Sequence, residues 1–129
     1  MKHQCKVLFF TLCLWGMAAP ASAQAYPSKT IRILVGFAPG GSTDIVARLI
    51  AQEMTKNVGQ QVVVENRPGA GGNIAAELAS KAVPDGHTLH ACTTGVFAIA
   101  PFIYSKLPYD PEKGLVPVTQ TGSLSLRSL

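Results

Sequence analysis

The sequence predicts an α/β domain in which parallel strands alternate with helices. Two strand-like segments are each followed by a glycine-containing loop and a helical segment, and a third strand-like segment comes next. The first strand is nearly all apolar, which is typical of a strand covered on both faces. Strands that alternate with helices form parallel sheets, because two parallel neighbours need a long crossover connection.

The first 23 residues have the organisation of a secretory signal peptide. Lys2 and Lys6 supply a charged start, residues 7–19 form an apolar run, and an A-x-A site ends at Ala23. The run is shorter than the roughly 20 residues that a transmembrane helix needs. A lipoprotein signal would need a lipobox ending in cysteine, and the residues before Cys13 do not fit one. We expect cleavage after Ala23, which removes 23 of the 129 residues and leaves 106.

The composition of the mature chain argues against a nucleic-acid-binding protein and excludes a disulfide framework within the chain. The whole chain carries 11 basic and 7 acidic residues, and loss of the two signal lysines lowers its formal charge from +4 to +2. The remaining basic residues form no run, which argues against nucleic-acid binding. Of three cysteines only Cys92 remains, so no disulfide can form within the chain. Cys92 follows apolar, strand-like residues and is expected to be a buried structural thiol.

The first strand and helix are the best-defined elements of the pattern. Residues 30–37 are predicted to form the first strand, and residues 44–57 an amphipathic helix. Ser42 or Thr43 is expected to cap the helix, and Gly59 to end it. The side of the helix expected to face the core consists of Ile45, Val46, Leu49, Ile50 and Met54.

The second unit repeats the same order of elements. Residues 61–66 are predicted to form a strand, residues 67–72 a loop and residues 73–82 a helix, with Asn73 as its cap. The apolar face of this helix is expected to contain Ile74 and Leu78.

The rest of the chain is less regular. Residues 84–86 form a predicted turn before a third strand at 88–93. A short helix is expected within 94–105, a loop at 108–111 and a weak fourth strand at 116–121.

The strongest candidate site is the loop at residues 39–44, which joins the carboxyl end of the first strand to a helix N-terminus. Open α/β sheets bind ligands at that edge, and unpaired backbone N–H groups at a helix start favour an anion. Gly40 and Gly41 let a ligand approach the backbone, while Ser42 and Thr43 add hydroxyl groups. Two interpretations stay open on these grounds: a carboxylate-binding loop, or an ordinary strand-to-helix turn.

A second loop at the end of a strand has the same two interpretations. Thr93, Thr94 and Gly95 end the third strand and could supply further hydroxyl and N–H donors, or form a simple turn.

Other chemistry is disfavoured by the motifs. No lysine follows the glycines as in a Walker A loop, and Asp44 stands where a nucleophile elbow needs glycine. Residues 69–72 imitate a dinucleotide fingerprint, but Ile74 occupies its third glycine position. His87 and His90 are three residues apart and therefore point to opposite faces of a strand, so they cannot bind one metal ion together. No nucleophile–base pair is visible.

Three spaced segments together resemble the opening of the Bug receptors, the TctC-like binding subunits of tripartite tricarboxylate transporters. They read YPSKTIRILVGFAPGGSTDIVARLIAQEM, GQQVVVENRPGAGGNIAAELASKAVPDGHTL and KLPYDPEKGLVPVT. The resemblance covers about residues 26–121. His87 departs from it, because the family usually has tyrosine at that position.

The resemblance implies a monomeric, two-lobed Venus-flytrap receptor of the type II periplasmic-binding-protein fold, with no cofactor. Such receptors are not enzymes; they capture small carboxylates or related metabolites for transport or sensing, with membrane transporter subunits as partners. Phe37 would form a wall of the pocket, residues 39–43 the anion-binding turn and Asp44 the ordered helix start. The implied ligand-binding residues are Phe37, Pro39, Gly40, Gly41, Ser42, Thr43, Asp44, Thr93, Thr94 and Gly95.

The length of the chain adds a further expectation. Family members continue well past twice this length, whereas this sequence ends at Leu129 and its last eight residues do not resemble them. We expect residues 1–23 to be the signal peptide and residues 24–129 the N-terminal part of the first lobe, without the second, from a gene fragment or a frameshift. The alternatives are a non-functional exported fragment and a small serine hydrolase using Ser42.

Overall fold

A three-stranded parallel sheet forms the centre of the computed structural model, which describes residues 25–122. The strands β1 (Ile31–Val35), β2 (Val62–Asn66) and β3 (Thr88–Ala91) lie in the order β2-β1-β3. Ile31 is paired with Val62, and Arg32 with Thr88. The predicted α/β class with parallel strands is confirmed. The predicted signal peptide lies outside the described residues.

Strand β1 is covered on both faces, as its apolar sequence predicts. Ile31, Ile33 and Val35 point to one face, where α1 (Ser42–Val58) packs against them. Leu34 points to the other face because side chains alternate along a strand, and it is also buried. The helix α2 (Asn73–Ser80) contacts β1 and β3.

The buried face of α1 differs from the prediction. Its closest contacts with the sheet come from Ala47 and Ala51, whereas Ile45, Val46 and Leu49 are 52%, 42% and 58% exposed. The β1 side chains are branched and bulky, so the helix approaches the sheet through its small residues. Met54 does pack against this core as a partly buried residue, as predicted. The apolar period therefore predicted the helix correctly but placed most of its buried face wrongly.

The ends of the helices correct two predicted caps. Gly41 occupies the N-cap position of α1 with no side-chain cap, and Ser42 and Thr43 already lie within the helix. Asn73 is likewise helical, as the first residue of α2. Gly59 ends α1 in the left-handed conformation, with φ of 68°, as expected.

The third strand is shorter than predicted, which changes the surroundings of Cys92. Strand β3 ends at Ala91, so Cys92 lies beyond the ladder, and its side chain is exposed rather than buried. Its thiol donates to the carbonyl oxygen of Thr93 at 3.3 Å.

The predicted fourth strand at 116–121 does not form. Val116 and Val118 are exposed, and these residues have no ladder partner. A short segment of β-favouring residues does not form a strand without a neighbour to pair with. In the part of the chain that the structure describes, the outer edges of β2 and β3 are unpaired.

The segment after β3 packs against α2 through a second, smaller core. A π-helical turn (Gly95–Ile99) leads into α3 (Ala100–Ile103), which has Pro101 in its first turn. Tyr109 packs with Ala76 and Val96, and its hydroxyl lies 2.9 Å from Asn73 Oδ1 and 3.1 Å from the Val96 carbonyl oxygen. No helix among residues 25–122 is long and apolar enough to cross a membrane.

A polar cluster for which the sequence contains no local signal lies at the amino-terminal end of the sheet. His87 is buried, with its Nδ1 3.3 Å from Asp85 Oδ1 and its ring edge-on to Tyr26. The Tyr26 hydroxyl donates to the carbonyl oxygen of Gly86, and Lys29 pairs with Asp85 at 2.8 Å. The residues just before β1 are thereby fixed to the turn before β3.

The stability of the sheet is expected to depend on His90. Burial lowers the pKa of His90 from 6.5 to about 4, and its Nδ1 has no hydrogen-bond partner. Between these values the unfolded chain binds a proton that the folded chain does not, so stability falls as the pH falls from about 6.5 to 4. We expect a loss of about 2 kcal/mol between pH 7 and pH 4.

Urea unfolding of the chain and of a His90→Gln variant across this pH range measures the effect. The variant is expected to lose most of the pH dependence. An equal slope in the two proteins would assign the effect to other groups.

Candidate functional site

The candidate site lies at the carboxyl-terminal edge of the sheet. The chain leaves the central strand β1 for β2 on one side and then returns to β3 on the other. The switch in direction lies between β1 and β3, and open α/β sheets bind ligands in the crevice at such a point. The two predicted loops, residues 39–44 and 93–95, follow these two strands, so the topology brings them to one edge.

A third loop packs between them. A Cβ atom on Gly36 would lie 2.6 Å from the Gly72 Cα, and one on Gly72 would lie 2.8 Å from Val96 Cγ2 and 3.6 Å from the Phe37 ring. Gly72 also has φ of 98°, a conformation that favours glycine. In the sequence, residues 69–72 stand out only as a false dinucleotide motif. Their position after a neighbouring parallel strand was the signal that would have placed them here.

The start of α1 presents backbone donors at this edge. The first hydrogen bond of the helix runs from the Ile45 N–H to the Gly41 carbonyl oxygen at 3.0 Å. The N–H groups of Ser42, Thr43 and Asp44 precede it, so the helix offers them no acceptor. Ser42 is exposed and Thr43 is half-buried. This arrangement of donors at the positive end of a helix can bind an anion.

Asp44 is the exception among the predicted residues, because its side chain is only 3% exposed. Its Oδ2 accepts the Arg48 Nε–H and the Gly40 N–H, both at 2.9 Å, and its Oδ1 accepts the Asn66 Nδ2–H at 2.8 Å. These hydrogen bonds, led by that from Arg48, hold the pKa of Asp44 far below its ordinary value. Its carboxylate is therefore ionised and already engaged by the protein.

Asn66 was absent from the predicted site, although it connects the network to the loop after β1. Its Nδ2 also donates to the Phe37 carbonyl oxygen at 3.1 Å, and its Oδ1 accepts the Arg48 Nη2–H at 3.0 Å. Asn66 is the last residue of β2, opposite Val35 in the ladder. The predicted loop is thus attached to the next strand by a side chain.

The loop after β3 is stabilised by backbone hydrogen bonds. The Thr93 carbonyl oxygen accepts the N–H groups of Val96 at 3.1 Å and Phe97 at 3.2 Å, so the turn begins directly after the strand. Thr93 is half-buried, whereas Thr94 and Gly95 are exposed. Of the remaining predicted residues, Phe37 is half-buried beside Gly72, and Pro39 and Gly40 are exposed.

No group of three His, Cys, Asp or Glu side chains within residues 25–122 could hold a metal ion.

Comparison with known proteins finds similarity to the receptors of one transporter family. A family model described as the tripartite tricarboxylate transporter family receptor matches residues 46–127. The protein BugT of Bordetella pertussis is 41% identical over 112 residues, which are 86% of this chain and 34% of BugT. The chain therefore spans about a third of the length of the curated relatives it matches.

Several solved structures are also similar to this chain. The periplasmic binding protein BugD is 40% identical with a TM-score of 0.65, over 69% of this chain and 29% of BugD. MatC from Rhodopseudomonas palustris with bound malate is 46% identical with a TM-score of 0.66, over 69% of this chain and 30% of MatC. The R. palustris protein Rpa4515 with adipate is 39% identical with a TM-score of 0.65, over 67% of this chain and 29% of that protein.

These structures confirm the expected fold class, a partial first lobe of a type II periplasmic-binding-protein fold. Because the family model matches more than half of its residues, the chain belongs to the TctC family of tripartite tricarboxylate transporter receptors.

Proposed function

We propose that this chain forms the ligand-contacting edge of an exported receptor that captures a small carboxylate-type metabolite for transport or sensing. The observation that carries the proposal is the start of α1, where three successive N–H groups have no acceptor in the helix. They lie beside the switch point of the sheet, where this class of fold binds ligands. Malate in MatC and adipate in Rpa4515, both carboxylates, support this ligand class.

The proposed roles follow from exposure and hydrogen bonding. Ser42 and Thr43 would bind a ligand carboxylate through their N–H groups and hydroxyls, with Gly40 and Gly41 leaving room for it. Phe37 would wall the pocket on the side of Gly72. The residues at the opposite side of the crevice would be Thr93, Thr94 and Gly95.

The proposal includes the route and the partners of the receptor. The segment at 1–23 would direct export to the periplasm and be removed there. Membrane subunits of a tripartite transporter would receive the ligand. Recognition through backbone amides and hydroxyls requires no cofactor and no catalytic group.

The affinity of this chain is expected to be low. A two-lobed receptor gains affinity by enclosing its ligand, and one edge leaves much of the ligand in water. We therefore expect millimolar rather than micromolar binding, which site-resolved NMR can detect. Malate and adipate titrated into the ¹⁵N-labelled chain are expected to shift the amide signals of residues 41–44 and 93–95, and not that of Gly59 at the other end of α1.

A pair of variants at Ser42 tests the role of the backbone. Ser42 is the first residue of the helix, where proline is tolerated, so Ser42→Pro removes one N–H donor without breaking α1. We expect it to weaken malate binding about tenfold, as befits the loss of one charge-assisted hydrogen bond. Ser42→Ala keeps the N–H group and is the matched control, with a loss of about threefold or less. Shifts confined to other surfaces, or equal binding by the two variants, would contradict the proposed site.

A further inference from the structure

We propose that Arg48 and Asn66 are positioning residues that prevent the charge of Asp44 from opposing an anionic ligand at the start of α1. This inference rests on the proposed function, because it assigns an electrostatic role beside the same site. Neither residue is among those that the sequence marks as contacting a ligand.

The problem that these residues solve arises from the position of Asp44. It is the third residue of α1, in the same turn as the N–H groups that would bind the ligand. A carboxylate there interacts with the positive end of the helix in the ligand's place, and it also repels a second anion. The buried position makes the repulsion stronger than it would be in water.

Two neighbouring side chains compensate this charge. Arg48 lies one turn further along α1, and its guanidinium binds Asp44 through Nε while remaining half exposed. The second carboxylate oxygen is taken by Asn66, which also accepts a hydrogen bond from Arg48. The three side chains form a closed cycle of hydrogen bonds with a net charge of zero.

The same cycle decides which donors remain for a ligand. Asp44 Oδ2 accepts a hydrogen bond from the Gly40 N–H, and Asn66 Nδ2 donates one to the Phe37 carbonyl oxygen. The loop before α1 is therefore held by both of its ends, and the donors left over are those of the first helical turn. A network that only stabilised the fold would affect charged and neutral ligands alike, whereas charge compensation affects them differently.

The test uses malate and its neutral dimethyl ester, titrated into the ¹⁵N-labelled full chain and followed at the amides of residues 42–44. Arg48→Met leaves the carboxylate uncompensated and is expected to lower the ratio of malate to ester affinity about tenfold. Asp44→Asn leaves the guanidinium uncompensated and is expected to raise the same ratio. Arg48→Lys keeps the cation and is expected to keep the ratio within about threefold of the unaltered chain.

Two further measurements separate the possible failures. In the double variant Arg48→Met with Asp44→Asn the ratio is expected to return to its original value. If both single variants lower the affinities of malate and ester equally, the network is only structural and this inference is overturned. If malate does not shift these amides in the unaltered chain, the proposed function fails and this inference falls with it. If Arg48→Met does not fold, Asp44→Asn alone tests the inference. The ratio of malate to ester affinity must then rise in that variant, and an unchanged ratio would overturn the inference.

Discussion

Replacing Gly36 by alanine is expected to destabilise the chain by about 3 kcal/mol and to separate two of the loops at the candidate site. The reason is contact with backbone rather than with a flexible side chain. An added Cβ would lie 2.6 Å from the Gly72 Cα and 3.0 Å from the Gly72 carbonyl oxygen. Neither atom can rotate away, so the loop at 69–72 must move off the end of β1.

Urea unfolding gives the stability, and the amide signals of Gly72 and Val96 report the loop movement. Gly95→Ala is the matched control, because its nearest neighbour is the Thr93 side-chain oxygen at 3.7 Å, an ordinary contact. We expect this control to change stability by about 1 kcal/mol or less. A Gly36→Ala variant as stable as the control would show that the two loops are not in contact.

Truncating Tyr109 is expected to have a large effect on the stability of the chain. Its ring fills the second core between Ala76 and Val96, so Tyr109→Ala should cost about 4 kcal/mol of unfolding free energy. Tyr109→Phe keeps the ring but leaves the oxygens of Asn73 and Val96 without their donor, with an expected cost of about 1–2 kcal/mol.

The difference between these variants separates packing from hydrogen bonding. Phe102→Ala serves as the aromatic control, since Phe102 is 90% exposed and its loss should change stability by about 0.5 kcal/mol or less. Urea unfolding of all three variants, together with amide exchange in α2, gives the comparison. Equal losses in Tyr109→Ala and Phe102→Ala would show that the segment after α3 does not pack on the domain.

The parts of the fold that the sequence predicted are those set by local pattern. The apolar run of β1, the helical period of α1 and the left-handed Gly59 each depend on neighbouring residues, and each is found close to its predicted position. The edge of the sheet at which residues 37–44 lie was equally predictable, because every parallel strand that leads into a helix ends at that edge.

The parts that the sequence missed depend on contacts between distant segments. Which face of α1 is buried is decided by the bulk of the β1 side chains, and a period of 3.6 residues does not contain that information. Asn66 and Asp44 are far apart in the chain, so their hydrogen bond has no local signal. Cys92 was predicted to be buried because strand β3 was expected to run two residues further than it does. The prediction of a fourth strand was wrong because pairing with another strand, and not composition, decides whether a strand forms.

The central position of β1 has a consequence for the order of folding. This strand is the first of the three to be synthesised, yet both of its neighbours come later, and β3 begins only at Thr88. Its two backbone edges cannot both be paired until β3 has been synthesised, so the sheet depends on contacts between residues distant in sequence, which slow folding. Until the third strand has been synthesised, the unpaired edge of β1 is open to other chains, so aggregation competes with folding during this interval.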